Sequence, residues 1–126
     1  MEIRVGQSAS ITRRVRHVDT AEAVGSGDLP VLGTPTLVAW LEAACVEVCG
    51  STDEQTTVGT RVGIDHHKAS RVASSVTCHA VVAEIDGRLI TFKVRATQIV
   101  DEQEVLVGRG VMTRAIVDRD RFMAKA

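Results

Sequence analysis

Residues 33–50, GTPTLVAWLEAACVEVCG, read as a helix that is apolar on nearly every side. Thr34 and Pro35 make a good start: a threonine hydroxyl can cap free N–H groups, and proline in the first turn forfeits no hydrogen bond. Gly50 is a natural stop. At about 100° per residue, Leu37, Val38, Leu41, Cys45 and Val48 form one broad face, and Ala39, Ala43 and Val46 leave most of the rest uncharged. Such a helix is expected to be wrapped by other structure. Yet it carries Glu42 at the border of the apolar face, while Glu47 projects about 140° away, at a solvent edge.

The flanking sequence supplies the wrapping. Residues 10–24 suggest an opening strand, and GSGD (25–28) with Pro30 suggests a loop leading into the helix. A polar loop is expected over 51–57. β-rich segments follow at 58–70, 71–85, 88–100 and 105–117, with Asp86-Gly87 as a hairpin signal and DEQE (101–104) as a further turn. Ile90, Phe92, Val94 and Ala96 alternate with Thr91, Lys93 and Arg95. The nine residues of the tail, DRDRFMAKA, are too short to classify. The expected fold is α+β, an antiparallel sheet around one central helix, in a single domain spanning 1–126. One helix cannot cover a five-stranded sheet, so a dimer pairing sheets edge to edge is expected.

Composition narrows the function. Apolar residues are 44% and charged residues 25% of the 126, as in an ordinary globular domain. A net charge of −1 and three aromatic residues, Trp40, Phe92 and Phe122, offer neither the electrostatic footprint nor the stacking platform of a nucleic-acid binder. Three cysteines without a framework suit reduced thiols, and no apolar run reaches the length of a membrane span. A cytoplasmic protein without nucleic-acid or membrane partners is expected.

Few residues can do chemistry. A buried Glu42 needs partners or a purpose, the plain alternative being an acid satisfied by backbone N–H groups or an arginine. Neighbouring strand residues face opposite ways, so only one of His66 and His67 can look toward the helix. Cys45 and Cys49 share a helix face but lack the context of a metal motif, and no metal or cofactor is expected.

These residues together resemble a known family, the hotdog-fold acyl-CoA thioesterases, and within it the fluoroacetyl-CoA thioesterase-like group. The likeness runs from VGQSASITRRV through GTPTLVAWLEAACVEVC and VGTRVGIDHHKAS to GRGVMTRAIVDRDRFMAK. The family's threonine at the helix start matches Thr34, its helix glutamate eight positions later matches Glu42, and its histidine six positions after a Gly-Thr pair matches His66. The resemblance implies a hotdog fold, a homodimer or dimer of dimers sharing active sites at its interface, and hydrolysis of an acyl-CoA thioester. It implies Glu42 as nucleophile or base, Thr34 and His66 as its helpers, and the Gly59 backbone as a candidate oxyanion donor. Thr34 has a rival role as the helix N-cap.

Two further expectations come with this reading. The segment before the helix, GSGDLPVLG, has none of the aromatic residues of the fluoroacetyl-specific branch, which points to a general short or medium acyl group. The Glu42 carboxyl group must also stay outside any internal ion pair and lie within a substrate's width of the His66 ring. The competing reading is a hotdog dimer that binds an acyl thioester without turning it over.

Overall fold

In the computed structural model, which describes residues 1–126, the sheet has five strands: β1 (Ser8–Arg14), β2 (Gln55–His66), β3 (Ser75–Asp86), β4 (Leu89–Val100) and β5 (Gln103–Asp118). Their order is β1-β3-β4-β5-β2, and every neighbouring pair is antiparallel. β3, β4 and β5 form a meander, and β1 and β2 are the edges. The central helix is α2 (Thr34–Cys49), preceded by the short α1 (Ala21–Val24) and followed at the C-terminus by α3 (Arg119–Lys125).

Period-two patterning dictates which side of the sheet meets α2. Ile90, Phe92, Val94 and Ala96 of β4 are buried, as are Val76, Cys78, Ala80 and Val82 of β3. They form one core with Leu37, Trp40, Leu41, Ala44, Cys45 and Val48 of the helix. Burying these apolar surfaces is the main force holding helix to sheet.

The strand that opens the fold is shorter than the sequence suggests. β1 stops at Arg14, and residues 15–24 turn back through a 3₁₀ turn at His17–Asp19 and α1. The reason is local: the Asp19 carboxylate accepts from the Arg16 N–H at 2.8 Å, Thr20 caps α1 by accepting from the Ala23 N–H, and Gly25 ends α1 at φ 77°. Such side-chain bonds compete with a strand ladder. The expected loop at 51–57 is likewise trimmed, because β2 already begins at Gln55. The β3–β4 turn is centred one residue later than the Asp86-Gly87 signal, with Asp86 paired to Leu89 and Gly87 at φ 59°.

The wrapping of α2 is incomplete in a single chain. Pro35, Ala39 and Val46 are exposed, and Val38, Glu42 and Ala43 are half-buried, so a mainly apolar helix face stays uncovered. Glu47 is exposed, as its projection implied. At the β2 edge, Gly108 and Gly110 of β5 allow a close approach. A side chain at Gly108 would meet the Asp65 carbonyl at 2.7 Å, and one at Gly110 would overlap the Gly63 carbonyl.

Candidate active site

The N-cap of α2 is Gly33, which offers no side-chain hydrogen bond; Thr34 is already inside the helix, followed by Pro35. The capping role considered for Thr34 is therefore not the one it plays. Its hydroxyl instead meets Nδ1 of His66 at 2.8 Å. His66 is the last residue of β2, opposite Gly108. His66 is half-buried, whereas His67, just past the end of the strand, is exposed.

The other ring nitrogen of His66, Nε2, is buried and has no hydrogen-bond partner. Burial pushes the imidazole below its ordinary value, with the neighbouring His67 acting the same way more weakly and a backbone contact at Lys68 opposing both. The ring therefore favours the neutral form, with one unpaired polar nitrogen. His66 lines a cleft of about 270 Å³ together with Thr34 and Lys68, and the segment before α2 contributes Ser26, Val31 and Leu32.

Glu42 sits elsewhere on the same helix. Eight residues at 1.5 Å each place it about 12 Å along the axis from Thr34. Its Oε2 accepts from Nη1 of Arg114 at 3.0 Å, in an ion pair whose arginine side chain is 9% and whose glutamate side chain is 34% exposed. The guanidinium also donates from Nε to the Thr57 hydroxyl at 2.9 Å and from Nη2 to the Thr57 carbonyl at 3.0 Å. Gly59 lies against the carboxylate: a Cβ there would stand 2.6 Å from Oε2. Thr60 follows at a β-bulge, where the pairing register shifts between Gly59 and Arg61.

The requirement that Glu42 stay clear of an internal ion pair thus fails. Arg114 is the residue the sequence reading missed, and its signal was present. It shares parity on β5 with buried Met112, so a charged residue stood in the row that faces the helix. An arginine among inward residues calls for an acid, and Glu42 is that acid.

The three cysteines are buried and free. Burial pushes the Cys45 and Cys78 thiols up to about 12, and raises Cys49 as well. These thiols are packing groups at neutral pH.

The profile of the fluoroacetyl-CoA-specific thioesterase family matches residues 15–120. The chain belongs to this family. By class it is a thioesterase. A relative within the fluoroacetyl-CoA-specific thioesterases, fluoroacetyl-CoA thioesterase from Streptantibioticus cattleyicolor, is 29% identical over 116 residues, covering 90% of this chain and 80% of the relative. Among solved structures, a variant of fluoroacetyl-CoA thioesterase in complex with acetyl-CoA superposes with TM-score 0.89 at 24% identity, covering 98% of this chain and 96% of that one. A thioesterase superfamily member from Thermus thermophilus gives TM-score 0.85 at 21% identity, covering 98% and 90%. The fold is the hotdog fold, a helix against an antiparallel sheet.

Proposed function

We propose that the protein hydrolyses the thioester of a short or medium acyl-CoA, releasing the free acid and CoA. The observation that carries this reading is the Thr34–His66 hydrogen bond at the N-terminus of α2, beside a cleft and with Nε2 of the ring unpaired. A helix N-terminus favours negative charge developing on a carbonyl oxygen. With Nδ1 accepting from the Thr34 hydroxyl, Nε2 carries the proton and can donate a hydrogen bond to the departing thiolate.

Glu42 of the same chain lies about 12 Å along the helix from Thr34, too far to serve that carbonyl. The working site therefore takes Thr34 and His66 from one protomer and Glu42 from its partner in a homodimer. The uncovered face of α2, with Val46 at 44% exposure, and the edge strand β2, with Val62 at 44%, are the surfaces such a partner would cover. Oε2 of Glu42 is engaged by Arg114, leaving Oε1 to hold a water. In the step itself, the water oxygen bonds the carbonyl carbon as its proton passes to Glu42, the C–S bond breaks, the thiolate leaves against the Nε2–H of neutral His66, and Glu42 returns its proton to the thiolate or to solvent.

A panel of acyl-CoA thioesters, assayed by free-thiol release, tests the reading. Wild type is expected to turn over several short chains, with kcat/KM for fluoroacetyl-CoA and acetyl-CoA within about tenfold of each other. Glu42→Gln and His66→Ala that leave every rate unchanged would place the chemistry elsewhere. In a single turnover in isotopically labelled water, label appearing in the Glu42 side chain would make it the nucleophile. The Arg114 ion pair also supports a second reading, in which Glu42 is a structural counter-ion and the dimer holds an acyl-CoA without turnover. Steady thiol release by wild type excludes that alternative.

A further inference from the structure

We propose that Ser70 and Gln98 are positioning residues that hold the two walls of the acyl cleft in register; this rests on the thioesterase reading of that cleft. Gln98 falls in the inward row of β4, after Ile90, Phe92, Val94 and Ala96, where packing alone calls for an apolar side chain. It is 8% exposed, and Ser70 is fully buried. The Ser70 hydroxyl donates to Oε1 of Gln98 at 2.7 Å. A buried polar pair of this kind gives less stability than apolar packing of equal volume but admits fewer arrangements.

Both walls of the cleft converge on Ser70. Its carbonyl accepts from the Leu32 N–H at 2.8 Å, and Val31 bridges to Arg71, so the segment carrying Ser26, Val31 and Leu32 is tied to it. The opposite wall, directly before Ser70 in the chain, is tied to β5 where the His67 and Lys68 N–H groups both bond the Val107 carbonyl, at 2.7 and 3.1 Å. Gly33, whose N–H bonds the Asp19 carbonyl at 3.0 Å, follows Leu32 and leads into Thr34. One hydrogen bond to the sheet thus fixes the point from which the segment before α2 and the His66–Ser70 turn are both hung.

The test compares Gln98→Leu, Ser70→Ala, the double variant and Ser70→Thr. Removing one partner strands the other, whereas removing both is close to neutral for stability, so the double variant separates folding from positioning. A positioning role predicts that the double variant unfolds near the wild-type midpoint yet shows KM for acetyl-CoA raised about five- to tenfold with kcat within about twofold. Ser70→Thr, which keeps the hydroxyl, is expected to keep the wild-type KM. A double variant with wild-type KM overturns the proposal, and Ser70→Ala alone carries the same comparison if the double variant does not fold. The His66 imidazole titration, followed by NMR, needs no turnover: its midpoint is expected to move up toward the ordinary value near about 6.5 in the double variant as water enters. An unmoved midpoint counts against Ser70 and Gln98, whereas absence of turnover in wild type counts against the thioesterase reading alone.

Discussion

Thr34 and His66 touch at 2.8 Å between hydroxyl and Nδ1, although they begin and end different elements 32 positions apart. The contact exists because Gly33 takes the N-cap position and frees the threonine side chain. It also leaves Nε2 of the ring as a buried polar atom without a protein partner. Thr34→Val, which keeps the shape and removes the hydroxyl, is expected to lower kcat for acetyl-CoA by about 100-fold, with Thr34→Ser within about tenfold of wild type. Equal rates for Val and wild type would reduce the contact to a structural one.

A site shared between protomers has a simple signature. Glu42→Gln and His66→Ala are each expected to be inactive alone, but mixing and refolding them in equal amounts should restore about a quarter of wild-type activity, because half of the dimers are mixed and each mixed dimer has one intact site. No recovery on mixing would confine Thr34, Glu42 and His66 to one chain, against the roughly 12 Å between the helix residues.

Arg114 supports the fold as well as the acid. Arg114→Met strands the Glu42 carboxylate and the Thr57 hydroxyl and carbonyl, with an expected loss of about 1–3 kcal/mol in a urea-unfolding measurement. Arg114→Lys is expected to recover little, since one ammonium cannot reproduce the fork that spans Thr57 and Glu42. A lysine variant as stable as wild type would show that charge, rather than fork geometry, is what the site needs.

His66 makes stability depend on pH in a defined direction. Its folded-state pKa is lowered by burial, so between that value and about 6.5 the unfolded chain binds more protons and stability rises with pH. The contribution is fully present above about 6.5 and is lost as pH falls through the folded value. His66→Gln is expected to flatten this part of the curve, read as the thermal midpoint between about pH 7.5 and 5. An unchanged slope would assign the acid limb to other groups.

Much of this arrangement was legible beforehand, for identifiable reasons. The helix at Thr34–Cys49 followed from its apolar span between Pro35 and Gly50, and the meander followed from regular alternation along β4. What escaped the reading was tertiary. Residues 15–24 carry β-branched side chains, but the Asp19 and Thr20 hydrogen bonds fold them into turns. The cap position of Thr34 depended on a single-residue shift that no pattern resolves. The partner of Glu42 lay 72 positions away, on a strand where Arg114 alternates in step with Met112, and only the tertiary fold shows which acid that inward charge meets.

The glycines at 108 and 110 give the imidazole its address. The outermost strand rests its carbonyls where side chains at those two positions would otherwise project, so its path, and the ring at its tip, are dictated by missing atoms. A methyl group at position 110 would press on the Gly63 carbonyl, and one at 108 on the Asp65 carbonyl and the His66 backbone, so either would shift the terminus of that strand and the ring it carries. The position of the His66 ring is thus hostage to two residues that contribute nothing but room.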